Sequence, residues 1–357
     1  MAEFFRRPFL WQFLLLLLGW CLVVELIIRT FLVSPSQTPN DAVLGWRWPS
    51  NSTFLVQTAD AGYREVSVNA LGYNDDPVDP RDPRTRFVVL GDSFVEAFQV
   101  SRDKNFMHLI QRDMPRFRLI NAGQSGLNPA SELAVLNRFE ARLRLDGVVL
   151  LLNNGDQADL LQTNIKVKDC RALIGICDYR LPSQSEGTLK SFLRPIMARS
   201  ALATFLLHKY KNLSDGAFAD VRRSDHGSIA KHKAGDWRAY EPTDTADFLE
   251  LVFERIHKKH PLIVVFVPTL QFTLRGKAVV VGSRSFPTEA ETAARKAGVR
   301  FLNISEVLSA AYAQSGQPPT GFDFSEIGAG HLNELGHQAL ARALEIELTK
   351  LKTRAGS

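Results

Sequence analysis

Ser93 is the residue around which chemistry can be built. It follows Phe87-Val88-Val89-Leu90-Gly91-Asp92, an apolar run rich in β-branched residues that breaks into Gly-Asp-Ser. That pattern predicts a buried strand entering a tight turn, with the serine at the strand's carboxyl end. Open α/β sheets gather their functional groups at such ends, and a serine hydroxyl becomes a nucleophile when a base stands beside it. Taken alone, the tripeptide also fits an ordinary strand-to-helix loop in which Ser93 caps the next helix and Asp92 braces the turn. The other polar groups decide between these readings. His331, in Gly330-His331-Leu332-Asn333-Glu334-Leu335-Gly336-His337, precedes the final helix and is the candidate base. The backbone N–H groups of Ser93 and Gly126 and the side-chain amide of Asn154 are candidate oxyanion donors. Asn153 is the alternative amide, with Asp156 then holding the loop.

The elements needed to position these groups follow from the spacing of apolar residues. Strands are expected at 87–90, 117–120, 148–152, 262–267 and 299–302. Helices are expected at 105–112, 130–143, 248–256, 289–296 and 333–351. This alternation predicts an α/β architecture with a doubly wound parallel sheet. Residues 157–245 are less regular and are expected to form an insertion over the sheet edge. Three strand ends carry the chemistry: Gly91-Asp92-Ser93, Asn121-Ala122-Gly123-Gln124-Ser125-Gly126, and Asn153-Asn154-Gly155-Asp156.

Those blocks, taken in order with His331-Leu332-Asn333 and Gly336-His337, resemble the SGNH (GDSL-type) hydrolase superfamily. The lead-in Val66-Ser67-Val68-Asn69-Ala70-Leu71-Gly72-Tyr73 looks like the segment before the nucleophile strand in its membrane-anchored bacterial members. The resemblance covers roughly residues 44–350. It implies a flavodoxin-like three-layer α/β/α fold, Ser93 as nucleophile, His331 as base, Gly126 as the oxyanion glycine, and His337 as a structural residue. Two blocks depart from the pattern. The usual Asn-Asp pair is interrupted by Gly155, and the aspartate expected two or three residues before the histidine is replaced by Gly328 and Ala329. Asp323 or Glu326, slightly upstream, is therefore the expected third member, unless a Ser-His pair works alone.

The frame around this domain is also legible. Residues 9–29 are apolar for roughly the twenty residues that a bilayer core requires, with Arg6 and Arg7 ahead and Arg29 behind. That predicts a cytoplasmic tail at 1–8, a membrane anchor at 9–29, a linker and lead-in at 30–84, and the hydrolase-like domain at 85–352. With the resemblance, it places the protein in a bacterial inner membrane with its catalytic domain in the periplasm. Glu25 lies inside the span near one end, where its carboxylate can reach the interface. The net charge of +5 is spread in short clusters, without the basic, aromatic-rich face of a nucleic-acid binder. Cys170 and Cys177 are close enough in sequence for a disulfide loop, and two free thiols fit equally. His108, His208, His226, His232, His257 and His260 sit outside any strand-end context. No metal spacing, phosphate loop or dinucleotide fingerprint is present, so no cofactor is expected. The expected activity is hydrolysis of an O-acyl ester, acetyl in chemistry, on a glycan or lipid. Transfer of the acyl group to envelope or exported polysaccharide is the alternative, and a non-catalytic glycan-binding module is the rival.

Overall fold

The computed structural model describes residues 6–31, 40–41, 45–58, 60–157, 200–203, 206, 244–273, 277–281, 285–322 and 328–351. Cys170, Cys177, Asp323, Glu326 and most of the expected insertion lie outside the described residues. The chain divides into two units. One comprises 1–38, 54–56 and 183–238, the other 39–53, 57–182 and 239–357.

Five parallel strands make the sheet of the second unit: β1 (Thr85–Leu90), β2 (Phe117–Asn121), β3 (Gly147–Asn153), β4 (Leu262–Val267) and β5 (Arg300–Asn303). Their spatial order is 5-4-3-1-2, the flavodoxin-like order in which the chain reverses direction beside β1. In register, Val88 lies opposite Ile120 on one side and Val148 on the other. The expected α/β/α architecture is the one observed, with strand ends displaced by no more than two residues.

Period-two alternation along β1 builds two cores. Val88 and Leu90 face a layer that contains Val135 and Phe139 of α4 (Pro129–Glu140), Phe253 of α5 (Asp244–His257) and Ala293 of α6 (Ser285–Lys296). Phe87 and Val89 face the other layer, with Ile110 of α3 (Phe106–Asp113), Leu308 of α7 (Ser305–Ser315) and Leu344 of α8 (Glu334–Lys350). Because β3 and β4 are buried along their whole length on both faces, they read as continuous apolar runs.

Ahead of the sheet, a hairpin of Thr53–Thr58 and Gly62–Ser67 leads into a polar segment tied closely to β2. Asp75 pairs with Arg118 at 2.8 Å, both nearly inaccessible to solvent, and the same carboxylate oxygen accepts the N–H of Asn121. Burial pushes the Asp75 carboxyl up, while Arg118 pulls it back. Asn121 in turn donates to the carbonyls of Asn74 and Val95. The lead-in is thus bound to the sheet through buried polar contacts, each of which would leave an unsatisfied partner if broken.

In the first unit, the helix Arg6–Phe31 is the one described helix long and apolar enough to cross a membrane, at a mean hydropathy of 2.2 over Trp11–Arg29. Its single acid is fully engaged. Glu25 accepts from the Ser200 hydroxyl at 2.9 Å and the N–H groups of Ala201 and Leu202 at 2.8 Å, and pairs with Arg29 at 2.8 Å. The carboxylate thereby satisfies the orphan donors of the turn beginning at Ser200, the role that a helix-capping side chain fills. In the full chain in phospholipid nanodiscs, Glu25→Ala should raise amide exchange at Ala201 and Leu202 at least tenfold, and Glu25→Gln, which keeps an acceptor, should raise it less. Unchanged exchange in Glu25→Ala would show that the carboxylate does not hold that turn.

Candidate active site

The turn after β1 is shaped by Asp92. Its Oδ1 accepts the N–H of Phe94 at 3.0 Å, so Asp92, and not Ser93, caps the short helix α2 (Ser93–Glu96). That leaves the Ser93 hydroxyl free of the capping role. Its Oγ lies 2.8 Å from Nε2 of His331, a residue 238 positions further along the chain. The histidine is held by its own loop: its carbonyl accepts the N–H of Gly321, and Thr320 bridges to Leu332. The ring of Phe94 packs against the imidazole with centroids 4.8 Å apart.

The other side of the imidazole meets Asp60. Its Oδ2 is 2.7 Å from Nδ1 of His331 and also accepts that residue's backbone N–H at 3.0 Å. Asp60 sits in the turn of the Thr53–Thr58/Gly62–Ser67 hairpin, 5% exposed. Burial raises its pKa, but the hydrogen bonds and charge of His331 outweigh this, and the net shift is downward. An ionised carboxylate only accepts, so Nδ1 carries the proton and Nε2 turns its lone pair to the Ser93 hydroxyl. Gly330 makes the approach possible. At its φ of +100° a side chain would be strained, and a Cβ there would stand 2.7 Å from Asp60 Oδ2.

This partner differs from the expected one. Asp323 and Glu326 lie outside the described residues, whereas the Nδ1 position is already filled by Asp60. The position three residues before the histidine, where the resemblance implies an aspartate, holds Gly328, packed so closely on Phe272 that a Cβ would lie 2.4 Å from its ring. Nothing in the spacing around His331 could locate Asp60, because the two are 271 residues apart. The available signals were indirect: the missing aspartate near the histidine, and an acid followed by Ala61-Gly62 between two short extended pieces.

The oxyanion candidates separate. The loop Asn121–Gly126 is seated on α2: Gln124 N–H donates to Gly91 O at 3.1 Å, and a Cβ on Gly123 would meet Glu96 N at 2.3 Å. Among the described residues, the N–H groups of Ser93 and Gly126 meet no acceptor. Asn154, by contrast, donates its amide to Val281 O at 3.0 Å. Asn153 donates to Asp92 Oδ2 at 3.0 Å and accepts from Gly155 N–H with its own Oδ1. Asp156 holds that loop by accepting the Asn153 N–H at 2.7 Å. One N–H of each amide is thus used in the scaffold, and each –NH2 group keeps a second N–H.

Several buried acids surround these groups. Desolvation raises the Asp92 carboxyl, and it raises Glu132 on α4 well above the ordinary value, with the charges of Asp156 and Asp92 adding to the effect. Neither carboxyl oxygen of Glu132 meets a hydrogen-bond donor among the described residues. A protonated Glu132 is the form such a site accommodates. No cluster of metal-ligating side chains occurs among the described residues.

His337 has the structural place expected of it. It lies on α8, stacks on Phe106 with planes 8° apart, and accepts the Phe106 N–H at Nδ1.

No protein-family model and no curated protein sequence matches the chain. Solved structures similar to it include a member of the lipolytic G-D-S-L family from Veillonella parvula, with 11% identity, 74% of this chain and 99% of that chain covered, and a TM-score of 0.38. The lipase/acylhydrolase from Enterococcus faecalis has 15% identity over 76% of this chain and 100% of its own, with a TM-score of 0.38. The psychrotrophic esterase EstA from a Pseudoalteromonas species has 11% identity over 74% and 100%, with a TM-score of 0.37. At such identities the residues themselves have to carry any functional reading.

Burial pulls the His337 pKa down to about 3, with the neighbouring His331 adding to the effect. The folded state therefore binds fewer protons here than the unfolded chain, whose histidine titrates near 6.5. Its contribution is complete above pH 6.5 and is lost as the pH falls from there toward 3. The difference in Tm between the parent and His337→Gln should accordingly shrink between pH 7.5 and pH 4.5. A gap that stays constant would mean that this imidazole is not held neutral.

Proposed function

We propose that the chain is a membrane-anchored, extracytoplasmic serine ester hydrolase of the SGNH type. One observation carries the reading: the continuous hydrogen-bonded series from Ser93 Oγ through His331 to Asp60 Oδ2. Its geometry matches the roles of a nucleophile, a base and an orienting acid, which are recognised by arrangement and not by sequence order.

The chemistry follows from the protonation states. His331 Nε2 takes the Ser93 proton as Oγ attacks the ester carbonyl. Negative charge gathers on the carbonyl oxygen, where the N–H groups of Ser93 and Gly126 are placed to receive it. The imidazolium is stabilised by Asp60 and returns its proton to the departing alkoxide. Water, activated by the same imidazole, then releases the acyl group and restores the serine. Each asparagine amide gives one of its two N–H groups to the scaffold, so Asn154 retains an N–H that can serve as a third donor.

The substrate class proposed is an O-acyl, chiefly acetyl, ester of a glycan or lipid near the membrane. The apolar span at Trp11–Arg29 supports the anchoring, and the arginines on its amino side support the orientation. The same acyl-serine intermediate can pass its acyl group to a sugar hydroxyl. An assay with added glycan distinguishes that transfer from hydrolysis.

The full chain in detergent should hydrolyse p-nitrophenyl acetate and should be labelled at Ser93 by a fluorophosphonate. Ser93→Ala and His331→Ala should each lower kcat by at least about 10³. Absence of both turnover and labelling in the folded parent would leave a binding module in place of an enzyme.

Asp60 provides a sharper test. Asp60→Asn should lower kcat/KM by about 10²–10⁴, because an amide there no longer fixes the productive tautomer. Asp323→Asn is the comparison, and a larger loss from it than from Asp60→Asn would transfer the orienting role to Asp323.

A further inference from the structure

Glu96, three residues after the nucleophile, is almost wholly buried, and its role in the site is not explained by the series above. Both of its carboxyl oxygens are engaged. Oε1 accepts the indole N–H of Trp48 at 2.5 Å, and Oε2 is hydrogen-bonded to the hydroxyl of Ser125. Its backbone carbonyl accepts the Asn74 amide at 2.8 Å. Ser125 immediately precedes Gly126, whose N–H is the second oxyanion donor of the proposed reaction. The 121–126 loop has other ties, from Asn121 Oδ1 to Gly123 N–H and from Gln124 N–H to Gly91 O. Among the described residues, it is the Glu96 carboxylate, meeting both the hydroxyl and the backbone N–H of Ser125, that holds the Gly126 end of the loop through a side chain.

Resting on the serine ester hydrolase reading, we propose that Glu96 is a positioning residue whose protonation state sets the Ser125–Gly126 turn, and with it the oxyanion donor. The hydrogen-bond inventory makes the two states distinct. An ionised Glu96 accepts from both Trp48 and Ser125. A protonated Glu96 must donate once, and an indole N–H cannot accept. The proton therefore lies on the oxygen facing Ser125, and the Ser125 hydroxyl must rotate to become the acceptor. The Glu96–Ser125 hydrogen bond is then kept with its direction reversed, and the hydroxyl hydrogen of Ser125, turned away from Glu96, becomes another donor beside Gly126.

The balance between these states lies in the neutral range. Burial pushes Glu96 up to about 7, the Ser125 and Trp48 hydrogen bonds oppose that rise, and the negative charge of Asp92 in the adjoining turn adds to it. Trp48 and Ser125 themselves carry no charge.

Selective 15N-glycine labelling of the full chain in detergent tests the inference without relying on activity. The Gly126 amide, assigned through Gly126→Ala, should titrate with a midpoint near pH 7 in the parent. That titration should be absent in Glu96→Gln, whose amide donates to Ser125 and accepts from Trp48 at every pH. In kinetics on p-nitrophenyl acetate, Glu96→Ala should lower kcat at least tenfold with KM within twofold, and Glu96→Gln should restore most of the loss. An unchanged Gly126 titration in Glu96→Gln overturns the proposal, as does a Glu96→Ala enzyme with the parent's kcat. A parent without turnover or labelling overturns the hydrolase reading, and the Gly126 titration still decides the role of Glu96.

Discussion

One carboxylate oxygen, Oδ2 of Asp60, fixes both the backbone and the ring of His331. Nearly every unusual local feature around the site serves that contact. Gly330 leaves room for it, the hairpin turn brings the acid to it, and the missing aspartate near the histidine makes it necessary. A loop histidine with a free ring can adopt either tautomer and several rotamers. Two hydrogen bonds to one oxygen hold a single orientation, with the lone pair of Nε2 directed at Ser93. The lead-in therefore belongs to the candidate site as much as to the connection with the apolar N-terminal helix.

That arrangement needs the lead-in to be immobile, and the buried polar contacts supply this. Asp75 meets Arg118 and the Asn121 N–H, and Asn74 meets Glu96 and Asn121. Each contact places one partner on the lead-in and the other on β2 or α2, the elements that carry the second strand-end loop and Ser93. Apolar burial alone is non-directional and would tolerate sliding. Buried hydrogen bonds do not, since a shift of a few ångströms would leave charged or polar groups unpaired in a low dielectric. The same low dielectric raises Asp92, Glu96 and Glu132. Burial thus pushes up the acids around the Gly91–Ser93 turn, while the hydrogen bonds of His331 hold Asp60 down.

The sheet and the strand-end position of Ser93 were legible in the sequence because both are local. Val88 and Leu90 alternate with Phe87 and Val89, and this alternation sorts them to opposite cores. The glycine-containing breaks after β1, β2 and β3 fall at strand ends because a strand cannot continue through them. Asp156 and His337 were also readable from their places in their blocks. The tie of Asn154 was not, because one N–H of its amide reaches Val281 O, a neighbour that sequence spacing does not reveal. Trp48 and Glu96 were equally silent, because an indole and an acid 48 positions apart form no recognisable motif.

By itself the sequence determined the parallel α/β architecture, the apolar N-terminal helix, and Ser93 and His331 as candidate partners, since periodicity and short blocks record what neighbouring residues do. Only the tertiary structure decided which acid meets the histidine, where the two asparagine amides bond, and which carboxyl meets Ser125 and Trp48. Those choices depend on directional contacts between segments up to 271 positions apart. Such contacts are set by packing and by the requirement that buried polar groups be satisfied, and neither leaves a periodic trace in the chain.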